Sequence, residues 1–333
     1  MKLFRPDPHA WQPIRALLSS GLPQAMLAAG EPGSLLGWYL DLLQAAQLCF
    51  MPTDDGFACG DCRSCKLLAE AAHPDLWIVA AEPGKAIAID ALRQGMEWIH
   101  YTPQVSATRW LRIDHAEAMT VAAANAILKT LEEPPARAHV LLHSEQISRL
   151  LPTIRSRLQR IPLPVMEMAE SRQWLQQQGI DAENSMALLR QLGNRPVRAL
   201  ELWEAGWIDQ RREWMRHMLD LPGQGVVAAL KLAEQWSKSA DLFLIREMVL
   251  GLIADFMRLQ QGLLDRIADL DYLDELQPIA PDISAEALQA TLDDWLQLPL
   301  TLAQNSNGVM VMEKLLLDWL KLWPRRTSHG VQN

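Results

Sequence analysis

Trp110-Leu-Arg-Ile-Asp114, then Asn125-Ala-Ile-Leu-Lys129-Thr-Leu-Glu132-Glu133-Pro134-Pro135, then His139-Val-Leu-Leu-His143 decide the fold. The first and last are apolar runs of strand length. Between them, Ala122 to Glu132 is a good helix by propensity. Pro134 and Pro135 end it, because a proline ring clashes with the preceding turn and has no N–H to give. The order is strand, helix, strand. Two more strand-length runs lie upstream, Ala25–Ala29 and Leu76–Ala80, each followed by a polar or Gly/Pro-containing stretch. Strands alternating with helices imply a parallel sheet covered on both faces, with its working groups at the carboxyl ends of the strands. Residues 1–165 therefore read as an α/β domain.

After Pro162 and Pro164 the pattern changes, and residues 166–330 show no convincing strand. Residues 166–207 hold two or three short helices, broken at Gly179 and near Gly193–Pro196. Residues 208–330 hold longer ones. Leu242, Ile245, Val249, Leu252, Ile253 and Phe256 recur at helical spacing, as do Leu315, Leu316, Trp319, Leu320 and Trp323. Such stripes read first as bundle core and second as a subunit interface. The tail after Pro324 reads as disordered.

The chain has 333 residues, 49% of them hydrophobic, and a formal charge of −9. It is long enough for two or three domains. Affinity for DNA comes largely from Lys and Arg neutralising phosphates, so an acidic chain is a poor candidate for gripping DNA alone. Met1 to Trp11 has no continuous apolar stretch, so no signal peptide is expected. No uncharged apolar run reaches membrane-spanning length, so no membrane span is expected and the location expected is cytoplasmic.

All four cysteines fall between Cys49 and Cys65. Cys59-Gly-Asp-Cys62-Arg-Ser-Cys65 gives two successive C-x2-C chelates, with Cys49 nine intervening residues upstream. In a reducing compartment this clustering points to metal rather than disulfides. Four thiolates at this spacing can enclose one tetrahedral zinc ion, with Gly56 and Gly60 permitting the tight turns. An iron–sulfur motif would continue with a downstream Cys-Pro, which is missing. Four cysteine positions argue for a structural ion, since a catalytic zinc keeps an open site.

A phosphate-binding loop needs G-x-x-x-x-G-K-[S/T] after a strand. After Ala25–Ala29 the chain reads Gly30-Glu-Pro-Gly33-Ser-Leu35-Leu36-Gly37. The first two glycines stand where such a loop places them, but Leu35, Leu36 and Gly37 replace Gly, Lys and Thr. Leu36 supplies no charge and Gly37 cannot ligate magnesium. Whether this is an ordinary strand-to-helix turn or a decayed phosphate loop, no ATP bound by this chain is expected. Asp114 stands where a Walker-B acid would. Arg155, Arg157 and Arg160 cluster within Thr153-Ile-Arg155-Ser156-Arg157-Leu158-Gln-Arg160. They read either as a solvated basic face or as an arginine finger, a planar guanidinium offered across an interface to a neighbour's γ-phosphate.

Asn125-Ala-Ile-Leu-Lys-Thr-Leu-Glu-Glu-Pro-Pro135 resembles the signature of the AAA+ clamp-loader subunits of bacterial DNA polymerase III, both the ATPase (gamma/tau) and the delta-prime types. The cysteine knuckle, His73-Pro74-Asp75-Leu76, Ile87-Ala-Ile89-Asp90-Ala-Leu-Arg93 and Thr153-Ile-Arg-Ser-Arg157 agree in order and spacing. Asn307 to Leu320 resembles the family's last collar helix. The resemblance implies a RecA-like (AAA+) domain over 1–165 carrying a zinc module at about 49–65. A small all-α lid over 166–207 and an all-α oligomerising collar over 208–330 would follow. The broken phosphate loop places the chain with the delta-prime type.

The family's Ser-Arg-Cys motif reads Ser156-Arg157-Leu158 here; the arginine matches and the cysteine does not. The resemblance thus implies Arg157 as a finger acting in trans, and Cys49, Cys59, Cys62 and Cys65 as zinc ligands. The implied partners are gamma/tau-type ATPase subunits, the delta subunit, the sliding clamp indirectly, and primer-template DNA through the assembly. The family's sensor-2 arginine finds a possible counterpart in Arg198, which without a nucleotide would have nothing to sense. Two other classes compete: a self-sufficient AAA+ ATPase, opposed by Leu36, and a zinc-containing nucleic-acid-binding protein, opposed by the acidic charge.

Overall fold

The computed structural model describes residues 6, 8–81, 85–164, 166–239, 241–303 and 307–323. The tail after Pro324 lies outside the described residues. The chain divides into two compact units, one of residues 1–180 and 194–198, the other of residues 181–193 and 199–333.

The first unit is built on a sheet of five strands: β1 (Ala25–Ala29), β2 (Leu76–Val79), β3 (Arg109–Ile113), β4 (Ala138–Ser144) and β5 (Gln159–Arg160). Their spatial order is β2-β3-β4-β1-β5 and every pairing is parallel. In register, Met26 stands beside Leu141 and Gln159, and Leu111 beside Trp77 and Val140. The helices in chain order are α1 (Pro8–Ser20), α2 (Leu36–Leu48), α3 (Arg63–Ala69), α4 (Ile89–Trp98), α5 (Val121–Glu132), α6 (Pro152–Arg155) and α7 (Met168–Gln177). This is the RecA-like AAA+ architecture expected.

All five residues of β3 are buried, as are six of the seven in β4. Strands sandwiched between helix layers must be apolar on both faces, which is why these runs do not alternate. α5 is capped by Thr120, whose Oγ1 accepts the Ala123 N–H, so the helix begins at Val121, one residue ahead of the start expected from sequence. Ala123, Ala124, Ile127 and Leu131 bury its inner face, joining Leu111, Ile113, Val140 and Leu142 in one core. On α4, Gly95 lets the helix lie close to the sheet: a Cβ there would sit 2.8 Å from Leu111 Cδ1. β5, only two residues long, was not anticipated; both its residues are exposed, so no apolar run marks it.

The remaining helices are α8 (Ala182–Gln191), α9 (Pro196–Glu204), α10 (Trp207–Gln224), α11 (Val226–Ser239), α12 (Leu242–Gln260), α13 (Leu273–Leu276), α14 (Ala285–Ala303) and α15 (Gly308–Leu322). No strand occurs after β5 among the described residues, as expected. The breaks at Gly179 and Gly193–Pro196 fall where the sequence placed them, and both glycines have positive φ. In the second unit α11 packs on α15, and α14 lies against both α12 and α15. Ile245, Val249, Leu252, Ile253 and Phe256 of α12 and Leu315, Leu316 and Trp319 of α15 are buried, so the stripes are core. Trp319 Nε1 donates to the Met218 carbonyl at 2.9 Å. Inside this apolar unit Arg211 pairs with Asp269, and Asp255 accepts the Ala268 and Asp269 N–H groups as well as Arg258.

Candidate functional site

The turn from β1 into α2 keeps the glycine outline of a phosphate loop without its lysine and hydroxyl. Gly30 N–H is tied to the Ser144 carbonyl at 3.2 Å, and Gly33 has φ +75°, which glycine adopts freely. Leu35 and Leu36 are buried, so the side chain at the lysine position points into the core. The turn is covered as well: the Gly33 carbonyl accepts the N–H groups of Val197 and Arg198 at 3.2 and 3.4 Å. A Cβ on Gly33 would lie 2.7 Å from Arg198 Cβ. Arg198 thus meets the loop through its backbone and β-carbon.

Beside this turn, Arg112 of β3 projects from the sheet with its side chain only 7% exposed. Its Nε donates to Asp114 Oδ1 at 2.6 Å, and its Nη1 to Asp41 Oδ1 at 2.5 Å and Gln44 Oε1 at 3.1 Å. Nη2 comes within 3.8 Å of where a Gly37 side chain would begin. Asp114 also receives His143 Nδ1–H at 3.1 Å. Burial alone would raise the Asp114 carboxyl, but His143 and Arg112 overcome it and hold the group below its ordinary range. The carboxylate at the Walker-B position is already paired, through Oδ1, with this chain's own cation. Arg112, Asp41 and His143 were not singled out from the sequence. The signal was present: an arginine in a strand buried on both faces must have carboxylate partners.

Arg157 follows α6 and is one-third exposed, while Arg155 and Arg160 are exposed. Arg157 Nε and Nη2 each lie 2.5 Å from Glu132 Oε1, and Nη1 donates to the Thr153 carbonyl at 2.8 Å. The structure thereby joins two segments read separately, the signature helix ending at Glu132 and the arginine cluster. Glu132 had no assigned role.

The four cysteines converge. Neighbouring sulfurs lie 3.5 Å (Cys49–Cys59), 3.9 Å (Cys49–Cys62 and Cys59–Cys65) and 3.4 Å (Cys62–Cys65) apart. Zn–S arms of about 2.3 Å at tetrahedral angles place sulfurs about 3.8 Å apart, so the cage fits one such ion. With all four donor atoms within 4.8 Å of one another, the set could hold a metal ion. Gly56 and Gly60 have φ +80° and +85°, making the turns the sequence called for. Backbone N–H groups point at the sulfurs: Cys59 at Cys49 Sγ, Cys62 at Cys59 Sγ and Cys65 at Cys62 Sγ. Burial opposes ionisation of Cys62, but N–H groups of Phe50 and Cys65 and the adjacent thiols bring it down to about 6. Burial pushes Cys65 up.

The knuckle is fastened to the sheet by His73 and Asp75. Ser64, between two of the cysteines, donates to the Leu48 carbonyl at 2.6 Å and lies 2.9 Å from His73 Nε2. His73 Nδ1 accepts the Asp75 N–H at 3.1 Å. The Asp75 carboxylate, fully buried, accepts the N–H groups of Gln104, Val105 and Ser106 and faces Arg109, whose guanidinium lies 4.5 Å over the Trp98 ring. The His73-Pro-Asp75 segment is thus a rivet, visible in the sequence only as a resemblance.

A five-stranded parallel sheet in this order, with a phosphate-loop turn and a Walker-B position at its carboxyl edge, defines an AAA+ protein. The model for "DNA polymerase III, delta subunit" matches residues 8–167, and that for "DNA polymerase III, delta subunit, C terminal" matches residues 204–321. The chain is 36% identical over 293 residues to DNA polymerase III subunit delta' of Pseudomonas aeruginosa, covering 84% of this chain and 86% of that one. It is 29% identical over 277 residues to the subunit delta' of Escherichia coli, covering 81% and 80%. Among solved structures, a DNA polymerase III gamma subunit-related protein of Thermotoga maritima aligns with a TM-score of 0.47 at 20% identity, covering 94% of this chain and 99% of that one. The chain belongs to the DNA polymerase III subunit delta' family. No helix among the described residues is long and apolar enough to cross a membrane.

Proposed function

We propose that this chain is a clamp-loader subunit that hydrolyses no ATP itself and offers Arg157 to the ATP site of a neighbouring gamma/tau-type subunit. The observation that carries the first half is the Arg112 guanidinium, lodged between Asp114 and Asp41 beside Gly37. With Leu36 buried at the lysine position, the loop itself offers no lysine to a β- or γ-phosphate, and magnesium would have to displace a buried ion pair.

Arg157 suits the second half because its present partner is easily exchanged. Glu132 is about half exposed, and exposed ion pairs contribute about 0–1 kcal/mol. A γ-phosphate carries more charge than a carboxylate and accepts the same planar fork. Residues 1–165 would serve as the AAA+ domain, 166–207 as a lid and 208–330 as the collar that assembles with gamma/tau and delta subunits. Cys49, Cys59, Cys62 and Cys65 would hold a structural zinc ion. The assembly would open the sliding clamp and place it on primer-template DNA in the cytoplasm, where replication proteins work.

The test is ATP hydrolysis by a reconstituted clamp loader with clamp and primed DNA, comparing the native chain with Arg157→Ala after normal assembly is shown. Fingers in other systems contribute about 10³–10⁵ in rate; a smaller but marked drop is expected here, because several ATP sites share the turnover. An unchanged rate in an intact assembly would reduce Arg157 to a surface charge. Separately, the isolated chain is expected to bind no magnesium–ATP.

A further inference from the structure

We infer that His115, Glu117 and Glu145 form a second metal site, for a divalent first-row transition ion, at the carboxyl ends of β3 and β4. These strands are parallel neighbours, so the residues just beyond them emerge side by side. Glu117 joins from the short turn at Ala116–Ala118. His115 Nδ1 lies 3.8 Å from Glu117 Oε1 and 3.7 Å from Glu145 Oε2, and one donor atom of each residue lies within 4.8 Å of the others. These separations are too long for direct hydrogen bonds. Metal–ligand arms of about 2.1 Å at tetrahedral angles would set the donors about 3.4 Å apart, so the trio needs only a slight contraction.

Burial supplies the second reason. The Glu117 side chain is 7% exposed, and its Oε2 has no hydrogen-bond partner among the described residues. Its Oε1 accepts the Glu145 N–H at 3.3 Å and no other hydrogen bond among the described residues. A buried carboxylate facing a second carboxylate carries a large desolvation cost unless a cation sits between them.

A third observation comes from His143, whose side chain is 6% exposed and whose ring centre lies 5.1 Å from that of His115. Its Nδ1–H is committed to Asp114, and its Nε2 is buried with no hydrogen-bond partner among the described residues. A carboxylate fixing one imidazole nitrogen while the other stays free is the arrangement found behind metal-binding histidines. His143 thus supplies a second buried polar atom without a partner next to His115.

The half-exposed His115 leaves an entry path and room for water. One imidazole with two carboxylates favours manganese, iron(II), cobalt or zinc over magnesium and calcium, which prefer all-oxygen shells. The site shares no ligand with the cysteine cage, and its existence does not depend on the role of Arg157.

The test uses the full chain with its thiolate-held metal retained, titrated with Mn²⁺ and followed by electron paramagnetic resonance. One equivalent is expected to bind. Glu117→Gln and His115→Ala are each expected to weaken it by at least about 10–100-fold, the range already seen for residues one shell out. Glu286→Gln, an exposed acid elsewhere, should change nothing. His115 is exposed enough that its alanine variant folds, so it decides the matter should Glu117→Gln prove unstable. No Mn²⁺ or Co²⁺ binding to the native chain, or binding that both variants leave intact, would overturn the site and leave His115 simply lying beside the two acids.

Discussion

Arg112 of β3 and Asp114, the first residue beyond its end, stand two positions apart in the chain, and the guanidinium reaches forward to the carboxylate at 2.6 Å. The cation and the acid at the Walker-B position therefore come from one short segment, so the pairing survives any movement that leaves residues 112–114 intact. Restoring the lost loop residues by Leu36→Lys with Gly37→Thr is expected to give no magnesium–ATP affinity, because Arg112 still fills the metal's side of Asp114. Isothermal titration of the double variant checks this; tight binding would show that loop decay alone accounts for the silence.

Removing the thiolate cage should loosen a local module rather than abolish the fold. Elemental analysis is expected to find about one zinc per chain bound by thiolates. Cys62→Ser should lose that ion and lower the melting temperature. Full folding and an unchanged melting temperature in metal-free protein would count against a structural ion.

Asp75→Asn is expected to destabilise the first unit by up to about 3–5 kcal/mol, the usual cost of leaving one partner of a buried pair uncompensated. Arg109, 2% exposed, would lose its only close carboxylate among the described residues, and three N–H groups would lose a charged acceptor. Urea unfolding measures this. A cost below 1 kcal/mol would mean that the loop at 104–106 is held by other contacts.

His139 provides a pH signature. Burial pushes its imidazole below the ordinary 6.5, although its hydrogen bond to the Pro23 carbonyl works the other way. His73 is shifted in the same direction, by burial first, against Asp75. The unfolded chain then takes up protons at 6.5 while the folded chain does not, so stability is full above 6.5 and declines as pH falls from there towards the lowered folded values. Melting temperature measured downward from neutral pH should show this decline, and His139→Gln should flatten part of it. An identical slope in the variant would assign the effect elsewhere.

The parts of this protein that announce themselves in sequence are those set by local chemistry. Apolar runs in β1, β3 and β4, the prolines closing α5, the glycines between α7, α8 and α9, and the C-x2-C spacings each report a nearby constraint. What escaped reading depends on residues brought together from afar. Arg112 finds Asp41 across 71 positions, Asp75 meets Gln104 to Ser106, and Arg157 finds Glu132 across 25. β5 escaped for a different reason: two exposed residues bonded only along one edge of β1 leave no hydrophobic trace.

The order of the strands also sets a timetable on the ribosome. β1 is made early, yet Met26 pairs only with Leu141 and Gln159. The interval from Met26 to Leu141 is 141 − 26 = 115 residues, roughly 6–23 s of synthesis at about 5–20 residues per second. The cysteine module needs nothing beyond Cys65 to gather its ligands and can close on an ion well before that wait ends. An apolar strand meanwhile hangs unpaired, the state in which nascent chains stick to one another. Cells short of chaperones should therefore lose this protein while it is being made rather than after it has folded.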